Sequence, residues 1–242
     1  TDVPDVALKP EKMLDVEFGY SFQSEKVGAS VNVYLMEYWD MLLETGKLSN
    51  VGYAIKENVD RGWRRGLELC ASYEPLKWLR ADANITLSSN KIRDYKEYVQ
   101  NVDTYDNWTM TGRTTMYEYG NSTMLMSPSV TGMMKLTFIR WKKAAVSIDG
   151  KYVGMQDLDN TMTLSRSIPS YFVSNLSVSH TFDLNRGSLG LALYVNNLFN
   201  NMYYADGWCW KNIIEEDGAL VDGIGIYPQA PVNYMLKASY RF

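Results

Sequence analysis

No stretch of this 242-residue chain approaches the roughly 18 to 20 consecutive apolar residues that a membrane-spanning helix requires. That absence excludes a helical bundle in lipid and leaves a β-barrel untouched, because barrel strands carry a much weaker signal. Cysteine is scarce, and Cys70 and Cys209 form neither a CxxC pair nor a metal-spaced set. His180 is the single histidine and has no partner of metal-ligand spacing, so it is expected to be structural or interfacial. Positive charge is not in excess: 24 Lys and Arg against 28 Asp and Glu leave a net −4, with no basic stripe. A general nucleic-acid binder is thereby excluded. No general acid/base pair, nucleophile elbow or phosphate-binding glycine-rich loop stands out, so neither an enzyme, a cofactor site nor a metal site is expected. The start, Thr1-Asp2-Val3-Pro4, has no initiator Met and no signal peptide. It is expected to be a processed or truncated beginning, with further sequence upstream.

What is abundant is aromatic. Eighteen Tyr, seven Trp and seven Phe are too many to place without asking where they fall. In the last segment Tyr234, Leu236, Ala238, Tyr240 and Phe242 alternate with Asn233, Met235, Lys237, Ser239 and Arg241. A period of two puts these sets on opposite faces of a strand. Aromatics toward both ends, with Leu and Ala between, match a lipid-facing surface edged by two aromatic girdles. The pattern recurs upstream. Leu189, Leu191, Leu193 and Val195 oppose Gly190, Ala192, Tyr194 and Asn196, and Leu79, Ala81, Ala83, Ile85 and Leu87 oppose Arg80, Asp82, Asn84, Thr86 and Ser88. Leu14, Val16, Phe18, Tyr20 and Phe22 oppose Asp15, Glu17, Gly19 and Ser21. A sandwich could bury one such face. Here no candidate helix is available to cover the other side, and a large closed barrel meets both demands.

The connections are sorted by length. Short polar links fall at Gln23–Lys26, Glu74–Lys77, Arg140–Lys143 and Asn185–Ser188; long ones run roughly Leu42–Val59, Arg93–Ser127, Gln156–Ile168 and Tyr203–Ala230. They alternate strictly, as periplasmic turns and outer loops do in bacterial barrels. Nine strands follow, roughly 12–22, 27–41, 60–73, 78–92, 129–139, 143–155, 170–183, 188–202 and 231–242. The expected fold class is therefore all-β: a transmembrane antiparallel β-barrel, of which residues 1–242 supply about nine C-terminal strands. Closing nine strands on themselves would force the first and last, which run the same way, to pair in parallel. The expectation is that the rest of the wall lies on the same chain or on a partner chain, as in a split or nicked receptor.

Several pieces resemble the C-terminal region of TonB-dependent outer-membrane receptors. They are Leu8-Lys9-Pro10-Glu11-Lys12, Tyr34-Leu35-Met36-Glu37-Tyr38-Trp39-Asp40, and Asn58-Val59-Asp60-Arg61-Gly62-Trp63-Arg64-Arg65-Gly66-Leu67-Glu68-Leu69. Further along come Val195-Asn196-Asn197-Leu198-Phe199-Asn200 with Tyr203-Tyr204, Tyr227-Pro228-Gln229-Ala230 and the terminal Tyr240-Arg241-Phe242. The resemblance covers essentially the whole chain and is nearest to receptors of the Bacteroidota type outside the glycan-importing group that pairs with a lid lipoprotein. It implies a barrel of about 22 strands closed by an N-terminal plug. Ligand would bind at the outer face, and the energised TonB complex would pull a plug segment to admit it. Plug and earlier strands are expected to lie outside residues 1–242. Leu236, Ala238, Tyr240 and Phe242 resemble the terminal signal read by the outer-membrane assembly machinery. They would also anchor an edge strand that has to pair with the first.

Candidate ligand contacts come from the long links. Trp208 and Trp210, with Asp206, lie in a link that also holds Cys209, Glu215, Glu216, Asp217 and Asp222, opposed only by Lys211. An exposed Trp at a loop apex either binds something or pins the loop, and loops on a rigid wall are natural recognition surfaces. Tyr105 and Trp108 in the longest link are a second pair. The carboxylates have no calcium-loop spacing and are expected to be solvated. Asn196, Asn197 and Asn200 are expected to make local hydrogen bonds at a strand end, and Cys70 and Cys209 to be unpaired thiols. Asn84, Asn107, Asn121 and Asn175 begin sequons that read as ordinary polar sequence. The functional expectation is TonB-energised import of a scarce large ligand, such as an iron–siderophore, another metal chelate or a cofactor, across the outer membrane of a Gram-negative bacterium. The alternatives are a passive pore or a surface-binding barrel without transport, and a soluble all-β protein. Lipid or lipopolysaccharide would surround the wall.

Overall fold

The computed structural model describes residues 8–49, 52–141 and 143–242; the expected processed beginning lies outside the described residues, and so does part of the Arg140–Lys143 link. The chain is almost entirely strand. Its elements are β1 (Lys12–Gln23), β2 (Val27–Leu48), β3 (Ala54–Leu76), β4 (Leu79–Arg93), β5 (Lys96–Asp103), β6 (Thr109–Glu118), β7 (Ser122–Thr123) and β8 (Val130–Trp141). They continue with β9 (Ala144–Val153), β10 (Gln156–Asp157), β11 (Ser167–Ile168), β12 (Tyr171–Leu184), β13 (Gly187–Asn196), β14 (Tyr204–Ile214), β15 (Leu220–Pro228) and β16 (Asn233–Arg241). A single 3-10 turn at Leu164–Arg166 is the sole helical piece among the described residues.

Nine long strands pair in the order β1-β2-β3-β4-β8-β9-β12-β13-β16, each antiparallel to the next, and β7 adds a short pairing to β4. These are the nine strands expected from the alternation. Register carries the two chemistries across the sheet in separate rows. Phe18 pairs with Val33, Val33 with Leu67 and Leu67 with Leu87. On the other half of the same face Leu79, Phe138, Val146, Val178, Leu193 and Leu236 follow one another across six strands. The opposite face carries Gln23, Gly28, Ser72, Asp82, Lys135, Asp149 and Asn175 in a comparable row. A slip of one residue at any pair would move apolar side chains onto the polar face, so the pattern specifies the register strongly. His180 stands next to Phe182, edge-on at 4.3 Å between ring centroids, and pairs with Leu191 of the apolar face.

Among the described residues nothing covers the length of either face of this sheet. Every residue of β1 is exposed, and Leu35, Leu69, Leu87, Phe138 and Leu236 expose large apolar surface together. A contiguous apolar surface of this extent needs another apolar phase against it. The buried hydrophobic cluster lies instead at the long-connection end: Met41, Val59, Ile92, Tyr95 and Met124, with Tyr38 packed against it. Asp40 makes that possible. Its φ of 55° breaks the two-residue alternation, so that Tyr38 and Met41 both reach the cluster.

The long connections depart from the sequence expectation. Most of Leu42–Val59 is not loop, because β2 and β3 run on as a hairpin in which Glu57 accepts from Thr45 Oγ1 at 2.9 Å and Lys47 Nζ at 2.7 Å. The links after β4 and β13 hold the hairpins β5–β6 and β14–β15. A short parallel pairing, Ile213 with Asn101 and Ile214 with Val102, joins them into a second sheet of order β15-β14-β5-β6. Parallel pairing between segments a hundred residues apart leaves no periodic trace in either of them.

Several of the family-like fragments have structural explanations. Asn58 Nδ2 donates to the carbonyls of Lys9 and Asp40 while its Oδ1 accepts from Lys9 N, tying the segment before β1 to the upper hairpin. A Cβ on Gly62 would sit 2.5 Å from Met41 Sδ, and one on Gly66 would sit 2.4 Å from the Tyr34 hydroxyl oxygen.

Candidate ligand-binding face at the long-connection end

Trp208 and Trp210 were expected at a loop apex; they lie inside strand β14. Being two residues apart, they share one face, and across the ladder each meets a glycine, Gly225 and Gly223. The indoles lie directly over those glycines: a Cβ on Gly225 would fall 2.4 Å from Trp208 ring atoms, and one on Gly223 would fall 2.7 Å from Trp210 Nε1. Trp-x-Trp opposite Gly-x-Gly thus forms a flat aromatic surface, with the indoles still 51% and 43% exposed. Asp206 precedes it on β14, its Oδ1 accepting from Gly207 N at 2.7 Å.

The opposite face of β14 is a buried charge cluster. Lys211 Nζ reaches Asp159 Oδ2 at 2.7 Å and is ion-paired to Glu97 of β5. Arg166, 3% exposed, donates from Nε to Asp159 Oδ2 at 2.7 Å, from Nη1 to Asp222 Oδ2 at 2.5 Å, and from Nη2 to the hydroxyls of Thr161 and Thr163, both at 2.9 Å. Tyr119 donates its hydroxyl to Glu97 at 3.2 Å. Burial alone would raise the Asp159 carboxyl, but bonds from Lys211 and Thr161 outweigh it and hold the group at about 2. Of the acidic residues expected to be solvated, Asp206, Glu216, Asp217 and Asp222 are exposed and Glu215 is half-buried, and most of them also have a bonding partner. Asp222 is paired with Arg166, Glu215 with Arg113 and Asn101, and Glu216 accepts from Thr104 N and Oγ1 at 2.8 and 2.9 Å. Asp217 Oδ1 closes its own turn on Ala219 N. Lys211 pairs with residues of two other connections and not with its own. None of this cluster was found from the sequence, because its members lie in three separate connections and follow no common spacing.

Tyr105 and Trp108 lie in the β5–β6 turn, 90% and 52% exposed, with Asn107 and Trp108 at φ of 52° and 61°. Glu216 brings this turn against the β14–β15 turn. Four residues, Lys211–Ile214, separate Trp210 from that turn on β14, so the two aromatic pairs stand on the order of 15 Å apart along the strand. The structure joins Asp206, Trp208 and Trp210 on one strand and sets Tyr105 and Trp108 at the far tip of the same sheet. On the polar face of the wall, two clefts open elsewhere. One is lined by Ser30, Cys70, Arg80, Asp82 and Lys135, the other by Glu17, Asn32, Tyr34, Met36 and Glu68. None of the five candidate contact residues lines them.

The side-chain-to-backbone bonding expected of the asparagines is observed for Asn197 and Asn200, whereas Asn196 bonds another side chain. Asn197 Nδ2 donates to the carbonyls of Asn201 and Ala230, Asn200 Oδ1 accepts from Val232 N, and Asn196 Nδ2 donates to Asn233 Oδ1. At the other end of β16, Tyr240 donates its hydroxyl to Arg186 O and lies 6.4 Å from the Phe242 ring. Leu236, Ala238, Tyr240 and Phe242 are all exposed.

Both cysteines are free. Burial, with Asp159 beside it, pushes the Cys209 thiol up to about 11. Near pH 8 its thiolate fraction is on the order of a thousandth. A maleimide should therefore label Cys209 slowly, and both thiols should react after denaturation without reductant. Failure of both to react under those conditions would contradict the free-thiol assignment.

Residues 1–198 match the family described as "TonB dependent receptor-like, beta-barrel". No curated protein matches. Among solved structures the chain is similar to the copper transporter OprC, with 17% identity and a TM-score of 0.67 over 97% of this chain and 33% of that one. It is similar to the ferric citrate transporter FecA in its unliganded form at 18% and 0.64, over 96% and 32%. It is also similar to the ferric-catecholate import receptor Fiu from E. coli at 14% and 0.61, over 96% and 28%. At these identities the likeness is one of fold, and the chain spans about a third of the length of these structures. The match over 1–198 and the sorted nine-strand wall place the chain in the TonB-dependent receptor family, within its β-barrel region.

Proposed function

We propose that residues 1–242 form the C-terminal nine strands of a barrel of about 22 strands, and that the whole receptor imports a scarce large ligand across the outer membrane with energy from TonB. The observation that carries this reading is the nine-strand register that keeps apolar and polar residues on opposite faces throughout, in a chain of this family. The apolar face then meets lipid and lipopolysaccharide, the polar face meets the plug, and the long-connection end faces outward. β1 and β16 each present one unpaired edge among the described residues. In hydrocarbon these edges need the remaining strands, on the same chain or a second one. Tyr240 and Phe242, with Leu236 and Ala238, present the terminal signal to the assembly machinery. The fragments quoted above support an origin in the Bacteroidota. The similar structures are named for ferric chelates and copper, which supports a metal chelate such as an iron–siderophore as ligand. Trp208, Trp210 and Asp206, with Tyr105 and Trp108 at the tip, are the contacts proposed for it.

Uptake of a radiolabelled ferric chelate by cells carrying the receptor should fall to background when the protonmotive force is collapsed. Trp208→Ala with Trp210→Ala should weaken surface binding of the same chelate by about ten- to a hundredfold, the usual loss when stacked aromatic anchors are removed. Uptake undiminished by collapse of the protonmotive force would contradict the energy-coupled mechanism.

A further inference from the structure

Three of the four long connections meet at β5, and the fourth is tied to them through β14 and β15. From the β2–β3 hairpin, Glu44 O accepts from Tyr95 Oη at 3.1 Å, just before β5, and Gly46 O accepts from Gln100 Nε2 at 3.0 Å. Lys47 Nζ lies over the Tyr98 ring, 4.1 Å from its centroid. Gly46 has φ of 86°, and a Cβ there would fall 2.2 Å from Tyr98 O, so this close approach of hairpin to strand needs glycine. From the β13–β16 connection, β14 pairs in parallel with β5, and Lys211 joins Glu97. The β9–β12 connection enters through Asp159 on Lys211 and through Arg166, which spans from Asp159 to Asp222 of β15. The β4–β8 connection contributes β5 itself.

We propose that these four connections form one rigid cap, held together around β5 and β14, and that any movement of this part of the outer rim carries them as a unit. The ties are mostly buried: Glu97, Val99 and Val102 of β5 are buried with Arg166 and Ile213. Buried, fully paired charges resist separation because parting them leaves an unpaired charge in a dry site. The inference rests on the packing of the connections and stands whether or not the receptor imports a chelate.

Hydrogen exchange of the full receptor in detergent micelles, read by mass spectrometry over a denaturant series, tests it. The amides of β5, β10–β11, β14–β15 and the β2–β3 tip should share one opening isotherm, distinct from that of the wall strands. Lys211→Met should speed exchange in all four segments together by about a hundredfold, with wall amides unchanged as a check on folding. Should that variant not fold, the wild-type isotherms decide the matter alone. Separate isotherms for the four segments, or a Lys211→Met effect confined to β14–β15, would overturn the single-cap assignment.

Discussion

Replacing Arg166 with Met is expected to loosen the cap by about 3 kcal/mol, the scale of a buried charge network losing one member. Arg166 satisfies four acceptors at once, and Met matches its stem but none of its donors. Asp159 keeps Lys211, so its charge is not stranded entirely, whereas Asp222 and the Thr163 hydroxyl lose the guanidinium. Chymotrypsin cleavage within Leu158–Leu164 reads the open population when closing is fast. The expected rise is about a hundredfold. Unchanged cleavage would mean that Arg166 does not hold the connection. The wild type should show the related effect in acid. Asp159 has its folded pKa depressed to about 2 from an ordinary 3.8. Its ionised form therefore stabilises the cap fully above pH of about 4, and the contribution declines as pH falls through 2. The amount at stake is on the order of 2 to 3 kcal/mol at most. Peptic cleavage of the same segment, normalised to an unfolded peptide, should rise over that window.

The wall was legible because its signal is local. Leu189, Leu191, Leu193 and Val195 announce their face within one strand, and Tyr240-Arg241-Phe242 announces an end. The sorting of short and long links supplied the direction of each strand without any tertiary information. The outer sheet was not legible for the converse reason. Trp208 and Trp210 read as exposed aromatics in a polar link, and only the register with Gly223 and Gly225 shows them seated on a neighbouring strand. Glu215, Glu216 and Asp222 read as a solvated acidic loop because their partners, Arg113, Thr104 and Arg166, lie between fifty and a hundred and twelve residues away. Propensity over a short window cannot report a pairing of that separation. Asp40, an irregularity within the wall, carries no signal except that Asp tolerates positive φ better than most residues.

An effect of similar size is expected in the wall itself. Leu193 pairs with Val178 and Leu236 in the middle of the apolar row, and its neighbour Ala192 pairs with Ser179 and Lys237 on the polar face. Leu193→Arg places a guanidinium in hydrocarbon near the centre of the span and should destabilise the receptor by about 2–4 kcal/mol. Ala192→Arg adds the same charge one residue away, beside a lysine the fold already accommodates, and should cost under about 1 kcal/mol. Urea unfolding from lipid vesicles measures both. Equal losses at the two positions would show that the faces do not meet different phases.

A nitroxide scan along β13 of the receptor in lipid vesicles tests the membrane wall most directly. Labels placed singly from Ser188 to Tyr194 would be relaxed in turn by molecular oxygen, which concentrates in lipid, and by a water-soluble nickel chelate. The membrane wall predicts a period of two, with oxygen dominating at Leu189, Leu191 and Leu193 and falling at Gly190, Ala192 and Tyr194. Nickel access to both sets alike, with no alternation, would contradict it.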